Sequence, residues 1–140
     1  GSEMCIRDRY TDDLTRCLVA KATTADHEAL IRWMFAAFAA GPAVKELSQV
    51  TPEQRAGITA VAGKMFTRLI TQDCRSESVA ALKYEGSSAF EAGFSTLGKV
   101  AARDLMTDPA VQAEMSKLDS VIDPQQLEAL QKQVDAPSKK

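Results

Sequence analysis

The stretch TPEQRAGITAVAGKMFTRLITQDC (51–74) decides the fold. Its opening, TPEQ (51–54), is a capping box. The Thr51 hydroxyl serves the backbone N–H at Gln54, Gln54 reaches back, and Pro52 takes the first helical position, where a missing N–H costs nothing. Behind the cap, Ile58, Val61, Ala62, Met65, Phe66, Leu69 and Ile70 recur at intervals of three and four. That spacing builds one broad apolar helical face. Ala56, Ala60, Gly63 and Thr67 fall opposite, and Cys74 continues this line of small residues. Small side chains let a second helix approach closely. The stretch therefore predicts one helix over 51–74, with its apolar face to a core and its small-residue back against a neighbour.

The same periodicity runs outward in both directions, and period-2 runs of aromatic and β-branched residues are absent. TTADHE (23–28) offers Thr24 as a cap with Asp26 and Glu28 in the first turn, where the helix dipole favours anions. That helix runs to Gly41, and Pro42 stops it. SAFE (88–91) reads as a second capping box after Gly86, and DPAV (108–111) and DPQQ (123–126) each start a short helix. Helices are expected at about 11–22, 24–40, 42–48, 51–74, 77–85, 88–107, 109–120 and 124–134. The fold class is all-α, a compact bundle of about six to eight short and medium helices. One helical domain is expected over 10–135, with a frayed tail at 136–140.

The head, GSEMCIRDR (1–9), has no helical or strand period. Gly1-Ser2 reads as the remnant of a cleaved tag, and EMCIRDR reads as translated adapter sequence, so Cys5 is set aside. Cys17 and Cys74 remain. Cys17 lies beside Leu14 and Leu18 on the only apolar face of the first helix. Laying that helix along the small-residue back of 51–74 brings Cys17 to Cys74, and a disulfide there closes a loop of roughly 57 residues.

Composition excludes several classes of function. The 140 residues carry a net charge of −2, with no basic stripe of the kind that grips nucleic acid. The most apolar stretch, ALIRWMFAAFAA (29–40), is shorter than the roughly 20 residues of a membrane span and contains an arginine. Nucleophile elbows, zinc signatures, phosphate loops and dinucleotide fingerprints are all missing, so neither a metal nor a cofactor is expected.

Few residues offer chemistry. His27 falls in the middle of the face made by Leu30, Ile31, Met34 and Phe38, where a histidine is poised to change charge near neutral pH. In a first turn it equally reaches solvent or caps a neighbour. Asp104 lies among the apolar residues of helix 88–107, close to a C-terminus whose dipole opposes a carboxylate. If buried it needs a cation, and Arg68 and Arg103 are the candidates; otherwise it leans into water. Trp33, on the edge of its helix's apolar face, suits either a groove or the core. Arg75 and Glu77, in DCRSE (73–77), read as a solvated charged face or as ligand contacts.

RWMFAAFAAGPAV, TPEQR and DCRSESVAALKYEGSSAFEAGFSTLGKVAARDLM together resemble small exported helical proteins of Gram-negative bacteria. That group has a signal peptide and a cysteine pair. The resemblance implies a periplasmic or secreted domain with Cys17 and Cys74 joined, and carries over no catalytic residue. Two functions stay open. One is a noncatalytic extracytoplasmic module for a protein partner or a small apolar ligand. Its warrant is the helix at 24–40, which has alanines at Ala29, Ala36, Ala39 and Ala40 behind a full apolar front. The other is a small hydrolase or transferase using His27, Asp104 and an arginine such as Arg68 in a cleft. Nothing in the sequence sets the oligomeric state.

Overall fold

In a computed structural model that describes residues 9–137, the central helix starts as its cap dictates. The Thr51 hydroxyl accepts from the Gln54 amide at 3.1 Å, and the Gln54 side chain accepts from the Thr51 amide at 2.9 Å. The described residues form seven α-helices and no strand. They are α1 (Arg9–Lys21), α2 (Thr24–Ala39), α3 (Pro52–Arg68), α4 (Arg75–Glu85), α5 (Ser88–Met106), α6 (Pro109–Val121) and α7 (Pro124–Asp135). None is long and apolar enough to cross a membrane. Of the head set aside at 1–9, residues 1–8, Cys5 included, lie outside the described residues, and Arg9 opens α1. Of the tail, 138–140 lie outside them too.

Several boundaries move. The cap of α2 is Thr23, one residue before the expected Thr24. Its hydroxyl accepts from the Asp26 amide, and the Asp26 carboxylate accepts from the Thr23 amide. Where a helix is expected at 42–48, the chain makes turns and a single 3₁₀ turn, Lys45–Leu47. Ser88 is the first residue of α5, and its hydroxyl donates to the Glu85 carbonyl instead of capping with Glu91. Gly86 does end α4, with φ at +80° where a side chain would be strained.

The largest departure lies inside 51–74. After Arg68 the bonding widens into a π-turn, Leu69–Asp73, and the Cys74 amide donates to the Leu69 carbonyl at 2.7 Å. This i→i+5 spacing shifts the register. Cys74 thereby leaves the line of Ala56, Ala60, Gly63 and Thr67 and follows Leu69 into the core, both fully buried. Among the described residues no helix covers the small-residue back. Those four residues are exposed, and a Cβ placed on Gly63 would find nothing within 4 Å. α1 packs against α4 and the π-turn instead. The disulfide forms on that side, with Cys17 and Cys74 Sγ atoms 2.07 Å apart. Close approach does use a glycine, but on α5: a Cβ on Gly93 would stand 2.8 Å from the Leu18 Cδ1 atom.

The elements form two compact units, one ending at Leu105 and the other starting at Met106. The first has a core of Leu14, Leu18, Leu30, Met65, Leu69, Cys74, Ala81, Ala89, Leu97 and Ala101, drawn from all five of its helices and the junction after α3. In the second, α6 and α7 bury no residue. Two short helices offer too little surface to enclose a core of their own.

Candidate ligand groove

α2 is apolar on more faces than its neighbours can cover. Leu30, Ala36 and Ala39 go inward, whereas Phe35 and Phe38 remain 60% and 72% exposed. Leu30, Ile31 and Met34 of the expected apolar front pack against the core and only Phe38 of that front is exposed, while Ala36 and Ala39 of the alanine side are buried as well. α2 lies along α3, and on this flank Ile31 and Phe35 of α2 face Ile58 and Val61 of α3 across an open groove of about 710 Å³. Ala29, Gly57, Val50 and Leu105 complete its apolar lining, and Arg32 and Gln54 supply its polar groups. The two helices are tied by Arg55, whose Nε donates to the Ala36 carbonyl at 3.2 Å.

A second hollow, of about 560 Å³, opens toward α5 between Leu30, Trp33, Met34, Phe66, Phe94 and Ala102, with Glu91 and Lys99 among its lining residues. Trp33, 37% exposed, meets Phe66 edge-on at 6.5 Å between centroids. Of the sequence-derived ligand candidates, Trp33 therefore lies in a hollow. Arg75 and Glu77 line neither one. Arg75 donates to the Thr71 carbonyl. The carboxylate of Glu77 stands within 4.8 Å of the two cysteine sulfurs, which are bonded to each other.

The titratable candidates are paired differently from the sequence-based expectation. Asp104 meets His27, Oδ2 to Nδ1 at 2.6 Å, and not Arg68. Arg68 is taken by two carboxylates: its guanidinium donates to Asp26 at 2.5 Å and to Asp73 at 3.0 Å. The reason lies in the local folding. The Thr23 cap buries Asp26 at the start of α2, and the π-turn brings Asp73 back to Arg68, so the guanidinium is engaged by these two carboxylates. Burial pushes the Asp26 carboxyl up, but hydrogen bonds from Arg68 and the Thr23 amide outweigh it and hold the group below its ordinary value. Those two carboxylates in turn hold the Arg68 guanidinium above its ordinary value, hydrogen bonding by Asp26 first.

His27, Asp104 and Arg68 therefore do not converge. Asp104 is 56% exposed at its side chain, none of the three lines either hollow, and the buried His27 Nε2 has no hydrogen-bond partner. A carboxylate–imidazole pair can orient a base, but catalysis of the triad kind also needs a nucleophile within hydrogen-bond reach of the second nitrogen. One polar arrangement has no local sequence signal. Glu85 accepts from the Tyr10 and Thr11 amides and from the Thr11 hydroxyl, capping α1 from the far end of α4. Burial raises the Glu85 carboxyl, and these donors bring it below its ordinary value.

No protein-family model matches the chain, nor does any curated protein or solved structure.

Proposed function

We propose that the chain is a noncatalytic, extracytoplasmic helical module that binds a small apolar ligand in the groove between α2 and α3. The observation that carries this reading is the groove itself. About 710 Å³ of open space is lined mostly by apolar side chains with two polar groups at hand. Sites for small molecules typically measure roughly 300–1,000 Å³ and have this mix of apolar walls and few polar groups. The Cys17–Cys74 bridge supports the extracytoplasmic part, since disulfides persist mainly in oxidising compartments. The resemblance of the sequence to exported helical proteins points the same way.

Gly57 provides the test. It lines the groove, and a Cβ there would meet nothing within 4 Å. Gly57→Leu places a side chain in that space and removes a helix-interior glycine, a change that favours the helix by up to about 1 kcal/mol. The variant should melt no lower than the parent chain yet lose the fluorescence enhancement of the neutral dye N-phenylnaphthylamine. Equal enhancement in both proteins would move the ligand, or a protein partner, away from this groove. The hydrolase or transferase reading keeps one observation in its favour, the His27–Asp104 contact. Among the described residues, the second imidazole nitrogen of that pair, His27 Nε2, has no hydrogen-bond partner.

A further inference from the structure

The polar lining of the groove between α2 and α3 sorts ligands by charge. Its one charged side chain is Arg32, beside Ile31 and one turn from Phe35. Among the described residues no carboxylate pairs with that guanidinium. Gln54, across the groove on α3, adds a neutral amide. The neighbouring Arg55 is occupied with the Ala36 carbonyl and holds the walls together. The hollow on the other side of α2 makes the contrast, since Glu91 and Lys99 give it both signs and no preference.

We infer that the ligand of this groove is a single-chain amphiphile with one anionic head. Its hydrocarbon chain lies against Ile31, Phe35, Ile58 and Val61, and its acid group accepts from the Arg32 guanidinium. This rests on the binding function proposed above and names the class of molecule bound. A planar guanidinium is suited to a carboxylate, which it meets with two parallel hydrogen bonds. The open volume of about 710 Å³ holds a single such molecule, which is taken up as a dissolved amphiphile and not from a bilayer.

Three probes with the same chain separate the possibilities: decanoate, decanol and decyltrimethylammonium, each displacing N-phenylnaphthylamine from the full chain, the two ions below their micellar concentrations and decanol below its solubility. Decanoate should displace the dye at a concentration about tenfold lower than decanol, the effect of one hydrogen bond to a charged group. The cationic probe should be the weakest. Arg32→Gln should abolish the difference between acid and alcohol by weakening the acid far more than the alcohol. Equal displacement by all three probes, lost with Gly57→Leu, would overturn the anionic assignment and leave the binding reading standing. No dye bound by the parent chain would overturn both. Co-sedimentation with phosphatidylglycerol vesicles that Arg32→Gln abolishes would move the acid group to a bilayer surface and overturn the single-chain assignment.

Discussion

Asp26 holds the beginning of α2 by two separate means. It completes the Thr23 capping box and, 6% exposed, receives the Arg68 guanidinium, so one carboxylate joins a helix start to the junction after α3. Asp26→Asn keeps the shape but removes the charge that Arg68 faces. Because Arg68 retains Asp73 and some access to water, the loss should be about 2 kcal/mol, below that for breaking a fully buried pair. Urea unfolding at neutral pH measures it. Asp104→Asn should cost less than about 1 kcal/mol, since its half-exposed carboxylate gains little from a surface-type contact with His27. The sequence marks both His27 and Asp104 as odd for their faces, and they do touch. It cannot mark them as partners, because the contact spans 77 positions and depends on how α2 and α5 cross. Asp26, by contrast, looks like ordinary first-turn decoration until Arg68 arrives from 42 positions away.

At the level of elements, local chemistry wrote itself plainly into the chain. The caps at Thr51, Asp108 and Asp123 all form, as does the stop at Gly86. The apolar face of α3 buries Ala62 and Met65 as its spacing dictates. What the spacing cannot convey is a change of helical pitch, because a π-turn uses the same residues as an α-turn and differs only in which carbonyl each amide finds. The pairing of Cys17 with Cys74 is therefore correct, while the surface along which α1 was expected to lie is not. A close approach to α1 does occur at Gly93 of α5, tight against Leu18. Gly93→Ala should gain helix propensity yet lose about 2 kcal/mol net, because the added methyl overpacks a core leucine. A raised melting temperature would show that α1 and α5 can part without penalty.

For the whole molecule, stability is tied to pH through carboxylates that the fold holds below their ordinary values. Asp26 and Glu85 are such groups, so over the acid range the folded chain binds fewer protons than the unfolded one. Their contribution is complete above the unfolded carboxylate value of about 4, and is lost as pH falls through the lower folded values. The urea midpoint should hold level from neutral pH to about 5 and then drop, less steeply in Asp26→Asn. Replacing both Cys17 and Cys74 with serine should cost about 4 kcal/mol at any of these pH values, from the 57-position loop that the bridge closes. The π-turn finally sets where the gene tolerates a change in length. Losing one codon anywhere in 69–73 would let ordinary α-helical bonding resume and would leave α3 intact. Everything after it would swing by about 100° around the helix axis. The two sulfurs would part, and α4 would present its outer face to α1. A codon gained or lost in the turns between α2 and α3 would have no such effect, so descendants of this chain should vary in length there and keep the count from Leu69 to Cys74.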